Sequence, residues 1–91
     1  MELIFNKIND VYVCEFEVNG DFNLHIEKDG KGSVTMYQRG TAEGAYDIVN
    51  SVKMAYGDTV LDTDITALVY PKYIKLESYT ENISGTVTEK A

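Results

Sequence analysis

The residues of this chain with the widest chemical range are one histidine, one cysteine and three neighbouring aspartates. His25 sits in Asn23-Leu24-His25-Ile26-Glu27, on the same side of an extended segment as Asn23 and Glu27. A histidine beside a carboxylate can serve as a general base, but it needs a nucleophile held against it. Ser33 is the only serine expected nearby; it lies off along the neighbouring segment, with no oxyanion-binding arrangement beside it. His25 therefore reads as a surface hydrogen-bonding residue, expected between Glu15 and Thr35. Cys14 has no partner for an internal disulfide. Its place among apolar residues makes it a small hydrophobe rather than a nucleophile.

Asp58, Asp62 and Asp64 offer three carboxylates, the last two on one side of a strand. Calcium takes about six to eight oxygens, and its best-known loop needs a glycine and a closing glutamate at fixed spacing. Both are missing here, so a solvated strand face is expected. A zinc site would need more histidine or cysteine than one of each. Gly30, Gly32, Gly40 and Gly44 are scattered among turns, not set before a helix, so no phosphate loop is expected. The sequon Asn82-Ile83-Ser84 reads as chance. No cofactor, metal or catalytic set is expected, and the chain reads as a non-enzyme.

Two groups suit binding instead. Val11 and Val13 occupy the polar parity that Glu15 and Glu17 continue, and Leu3 and Phe5 share a parity on the preceding segment. Side by side these strands would present a face with an apolar end and a charged end, and exposed apolar patches mark contacts. Leu3, Phe5, Val11 and Val13 are therefore the interface candidates, unless strand 2–7 or a loop covers the two valines. Tyr37, Tyr46, Tyr73 and Tyr79, with Asp47 or Asn50 nearby, would suit an aromatic platform for a sugar.

The elements that position these residues alternate with period two. Tyr12, Cys14, Phe16 and Val18 share a parity with Phe22, Leu24 and Ile26, and then with Val34 and Met36. Such alternation gives a strand one dry and one wet face. The expected pairing is an antiparallel meander. Asn19-Gly20-Asp21 and Asp29-Gly30-Lys31 serve as three-residue hairpin loops, because a two-residue loop would mix the faces. Residues 2–7 suit a short first strand. Residues 40–58 read two ways: a helix with Ala45, Ile48, Val49, Val52 and Ala55 as its stripe, or a strand at 45–49. The strand-forming character of Tyr-Asp-Ile-Val favours the strand. Leu61, Ile65, Ala67 and Val69 share a parity; Pro71 marks a break or an edge; residues 73–77 and 83–88 are short strands. The expected fold is all-β, an antiparallel sandwich or jelly roll of seven to eight short strands over one domain, 1–91. The alternative is α+β with a helix at about 42–56.

Fifteen acidic against eight basic residues leave a formal charge of −7. That disfavours a nucleic-acid backbone and an anionic membrane; it suits solubility, or steering toward a basic partner. Seven tyrosines stand against three phenylalanines and no tryptophan, a bias that suits half-buried sheet surfaces and interfaces. No stretch approaches transmembrane length. The opening Met-Glu-Leu-Ile-Phe lacks a basic start, so no secretory signal is expected and synthesis is expected in the cytoplasm.

Val34-Thr35-Met36-Tyr37-Gln38-Arg39, Gly44-Ala45-Tyr46-Asp47-Ile48-Val49 and Tyr70-Pro71-Lys72-Tyr73-Ile74-Lys75-Leu76 together cover about half the chain. Their rhythm resembles the galactose-binding-like jelly rolls. There a strand, a short glycine loop and an aromatic-x-x-Val element precede a late strand of tyrosine, branched, basic and apolar residues. It is also similar to the small β-sandwich accessory proteins of tailed-phage virions. The calcium and sugar residues of the discoidin-type family have no matching motif here, so none is carried over. The resemblance implies a sandwich fold and, from the phage proteins, a decoration-like role in a virion. The expected function is a non-enzymatic structural or interaction module that binds other protein chains or itself. The alternative is a carbohydrate-binding module.

Overall fold

The computed structural model describes residues 1–66 and 68–90. Eight strands form two antiparallel sheets, and the described residues contain no helix. The strands are β1 (Asn6–Ile8), β2 (Val11–Val18), β3 (Phe22–Lys28), β4 (Val34–Arg39), β5 (Asp47–Met54), β6 (Val60–Ile65), β7 (Lys72–Ser78) and β8 (Ile83–Glu89). One sheet runs in the order β1-β2-β7-β4-β5, the other β6-β3-β8. Packed together they make a β-sandwich, and the helix alternative at 42–56 is overturned by β5.

The shared parity describes the inner faces. Cys14, Val18, Phe22, Leu24, Ile26, Val34 and Met36 are buried, joined by Val52, Met54, Ile65, Ile74, Leu76 and Val87. Tyr12 and Phe16 lie nearer the rim and are half-buried. Phe16 meets Phe22 edge to face across the two sheets, with centroids 6.1 Å apart. Polar residues of the opposite parity, among them Asn23, Glu15 and Glu17, face out.

The expected meander is not formed. β2 pairs with β1 and β7, while β3 pairs with β6 and β8. The chain at 19–21 and again at 29–33 therefore arches from one sheet to the other and makes no hairpin. Alternation reports which side of a strand meets the core, and an arch that carries the chain to the facing sheet preserves it. Val18 thus has Lys72 as its neighbour rather than Phe22. The strand expected at 45–49 starts at Asp47 and runs on to Met54. Between the pairs Thr35–Lys53 and Tyr37–Ile48 the ladder slips, so β5 bulges opposite Met36. β6 ends at Ile65, and Val69, expected on its dry side, is exposed. Ala67 lies outside the described residues.

The N-terminal segment is split between the sheets. Residues 1–3 lie along β8: Leu3 N–H donates to the Gly85 carbonyl at 2.9 Å and Val87 N–H to the Met1 carbonyl at 2.8 Å, around the bridge Glu2–Thr86. The chain then crosses to join β2 as β1. The strand expected at 2–7 is thus a strap over one side of the sandwich.

Candidate functional site

The outer face of the five-stranded sheet gathers most of the expected binding residues. Register aligns them in rows. Glu15, Lys75, Tyr37 and Ile48 are successive cross-strand neighbours, as are Glu17, Tyr73 and Arg39, and Val13, Glu77, Thr35 and Lys53. Val11 precedes Val13 by two residues, and Tyr79 follows Glu77 by two, so both continue this face. Tyr46 lies just before β5 and folds onto it.

Cations and rings interleave across these rows. The Arg39 guanidinium lies 4.2 Å from the Tyr46 ring centre. The Lys75 ammonium is 4.8 Å from the Tyr37 centre and 4.6 Å from that of Tyr46. Such contacts are worth about 0.5–1 kcal/mol at exposed sites and more when desolvated. Carboxylates complete the pattern. The Tyr46 hydroxyl donates to Glu15 Oε2 at 2.7 Å, Lys75 pairs with Glu77 at 3.3 Å, and Arg39 approaches Glu15 at 4.0 Å. Arg39 also donates to the Gly44 carbonyl at 3.0 Å, which ties the loop before β5 to the face. Burial, then the Glu15 hydrogen bond, push the Tyr46 phenol up to about 12. Burial and Glu77 raise Tyr37; the Glu17 hydrogen bond raises Tyr73. All three phenols remain protonated donors at ordinary pH.

Of the interface candidates, Val11 and Val13 are half-buried on this face, at its β1 end. Leu3 is a correction: it is only 7 % exposed and belongs to the core. Phe5 is half-buried and packs against that core. Residues 1–5 cross between the sheets rather than lying flat on one, which turns Leu3 into the gap between β2 and β8. The four tyrosines fare better. Tyr37, Tyr46 and Tyr73 are half-buried on one face and Tyr79 is exposed beside them. Lys75, Arg39, Glu15 and Ile48 complete the site without having been singled out from the sequence. The usable signal was parity: Arg39 follows Tyr37 by two residues, and Lys75 follows Tyr73 by two.

The other sheet carries the histidine. His25 Nδ1 lies 2.8 Å from Asp62 and Nε2 3.1 Å from Glu27. Its neighbours in register are Asp62 and Thr86, rather than Glu15 and Thr35. Ser33 precedes β4 in the opposite sheet and is not beside it. Asn23 Nδ2 donates to both Asp62 (2.9 Å) and Asp64 (3.0 Å), and Lys90 pairs with Asp64 at 2.7 Å. Asp58 is spent on the Ala55 N–H, at 2.8 Å. Among the described residues no group of three or more His, Cys, Asp or Glu side chains is placed to hold a metal ion. Burial pushes the Cys14 thiol up, which disfavours a nucleophilic thiolate. No family model, curated protein or solved structure matches this chain, so the reading of the site rests on its own residues.

Proposed function

We propose that this chain is a non-enzymatic interaction module that binds another folded protein through the outer face of its five-stranded sheet. The observation that carries this reading is the composition of that face. Tyr37, Tyr46, Tyr73 and Tyr79 share it with Val11, Val13, Ile48 and Arg39. Tyrosine and arginine are enriched in protein interfaces and dominate their binding energy. The charges on the face are largely matched among themselves, Lys75 with Glu77 and Arg39 with Glu15. A partner covering those four residues therefore buries pairs of charges rather than bare ions. A decoration-like protein on a larger particle such as a virion is the most concrete form of this role.

A carbohydrate-binding role is the second reading, favoured by four tyrosines on one face. Sugars stack on open ring faces, however, and here Tyr37 and Tyr46 already flank the Lys75 ammonium. That geometry favours a protein.

The test is site-specific photocrosslinking in the cells that make the chain. A crosslinking residue at Ile48 or Tyr79 should capture one defined protein, whereas the same residue at Thr88, on the opposite sheet, should not. Tyr73→Ser together with Tyr37→Ser should abolish capture while leaving the fold intact. Equal labelling from both faces overturns the reading. Saturable NMR shifts of Tyr73 and Tyr79 with a monosaccharide, without protein capture, would put the carbohydrate role in its place.

A further inference from the structure

β2 is an interior strand with a half-finished neighbour. β7 accompanies it from Tyr12 to Val18, whereas β1 stops at Val13. Residues 14–18 of β2, about 17 Å of strand, therefore have an open side. The two-residue turn Asn9-Asp10 closes on the pair Ile8–Val11, so that pair and every second one after it carry the ladder's hydrogen bonds. By that alternation the backbone N–H and C=O of Glu15 and Glu17 point into the open side. No backbone group of the described residues bonds to them there. The register of β1 would set Ile4 opposite Glu15 and Glu2 opposite Glu17, but residues 1–3 leave this sheet for β8. There Leu3 fills a slot over Gly85, where a Cβ would come within 3.1 Å of its Cδ1. The departure has an electrostatic sense. Laid flat, Glu2 would face Glu17, and like charges directly across a ladder repel; on β8 it faces Thr86.

The vacated place is a notch between β2 and the strap. It opens into two adjoining grooves of about 430 and 420 Å³ that share Met1. Leu3, Phe16, Val18 and Val87 give them apolar walls, and Glu2, Glu15, Glu17 and Glu89 give them charge. Among the described residues no lysine, arginine or histidine lines either groove. The Met1 ammonium is held by the Val87 carbonyl at 2.8 Å, and Arg39 reaches Glu15 only at 4.0 Å. We propose that this notch takes an extended segment of a partner protein, added antiparallel to β2, with basic side chains opposite Glu15 and Glu17 and an apolar one between them, opposite Phe16. An open strand edge is completed by another extended backbone, which is binding by strand addition. Antiparallel is the sense of every strand pairing among the described residues. Opposite charges across a ladder attract, so the chemistry that turns away the chain's own Glu2 selects a lysine or arginine in its place. The edge is distinct from the tyrosine face, and the inference stands without that reading.

Peptide titration tests the notch. The probe is a peptide Thr-Lys-Val-Lys-Thr, blocked at both ends, added to the full chain and followed by NMR. Binding should saturate, shift the Glu15 and Glu17 amides and protect them from hydrogen exchange. N-methylation of both lysine nitrogens removes the donors aimed at β2 and should weaken binding at least about tenfold. N-methylation of the valine, whose N–H points away from β2, should leave it unchanged. The peptide Thr-Glu-Val-Glu-Thr should bind far more weakly, and Glu17→Lys in the protein should narrow that difference. Tyr37→Ser, on the tyrosine face, should leave the lysine peptide's affinity as it is, which separates this edge from that face. Glu15 and Glu17 amides that stay still at millimolar peptide overturn the proposal. So do equal losses from the two kinds of N-methylation, or a glutamate peptide that binds as well as the lysine one.

Discussion

Lys28 is the most exacting residue of this sandwich. It ends β3 on the inward parity of Phe22, Leu24 and Ile26, and it is only 6 % exposed. Its ammonium reaches out of the core to three backbone carbonyls, those of Asp29 (3.3 Å), Ala55 (3.2 Å) and Asp58. It thereby ties the β3–β4 arch to the β5–β6 turn. Lys28→Met keeps an apolar stem of similar length and removes the donors. The Ala55 carbonyl still receives the Asp58 N–H, which leaves the Asp29 and Asp58 carbonyls facing the gap. An unsatisfied buried group costs about 1–3 kcal/mol, and water reaching this rim reduces the sum, so the expected loss is about 1–3 kcal/mol in all. Lys28→Ala also deletes three methylenes at about 0.8 kcal/mol each, which brings its loss to about 3–5 kcal/mol. Against a total of about 5–15 kcal/mol for a domain, both losses are measurable. Urea denaturation followed by circular dichroism should show midpoints ordered natural, Met, Ala, with a constant slope. A methionine variant as stable as the natural chain would refute the carbonyl cage, because the ammonium would then contribute nothing beyond its stem.

Three further expectations follow from particular contacts. Leu24→Ala, at a fully buried position of β3, should cost about 2–5 kcal/mol in the same experiment, and an unchanged midpoint would contradict its central burial. Gly32→Ala should destabilise by more than about 1 kcal/mol, because φ is +73° there and a Cβ would sit 2.8 Å from the Tyr79 carbonyl carbon; a gain in thermal stability would contradict the geometry. On the outer face of β3, Glu27 and then Asp62 raise His25 above its ordinary 6.5, and Asn23 and then His25 lower Asp62 below its ordinary 3.8. His25 thus contributes fully below about pH 6.5 and fades as pH rises through its folded value, whereas Asp62 contributes above about pH 3.8 and fades as pH falls through its own. NMR titration should place the His25 midpoint above 6.5 and lower it in Glu27→Gln; a midpoint below 6.5 in the natural chain would break the assignment.

How far the fold was legible depends on what alternation measures. Cys14, Val18, Phe22, Leu24, Ile26, Val34 and Met36 were readable as core because burial repeats every second residue in any strand with one dry side. The partners of those strands were not readable. Asn19-Gly20-Asp21 is short and turn-forming, which suits a hairpin within one sheet and an arch between two equally well. The arch prevails because β2 finds β7 and β3 finds β6 and β8, pairings between segments distant in sequence that no local pattern specifies. The helical stripe of residues 45–55 arose the same way. In the bulged β5, Ile48 faces out beside Tyr37 while Val52 and Met54 face in. A strand that changes phase at a bulge mimics a period between two and four.

The site was legible in kind more than in composition. Tyrosines of suitable parity were found because a half-wet sheet surface selects for them, and register then brought Tyr37, Tyr73 and the loop residue Tyr46 to one face. Their cations were missed because Arg39 and Lys75 read singly as solvated charges. Only the adjacency of β4 and β7, with Tyr46 folded onto the face from the loop before β5, brings them against the rings. Leu3 failed for the opposite reason. Judged with Phe5 as one face of a flat edge strand, it looked available to a partner, but the strap crosses between the sheets and turns it into the seam. The same crossing leaves Ile4 outside. The segment thus inserts Leu3 at a glycine slot while Met1, Ile4 and Ile8 stand exposed. Its consecutive Leu3-Ile4-Phe5 breaks the alternation seen from Phe22 to Glu27, and that break is the sequence signal of a segment that leaves one sheet for the other.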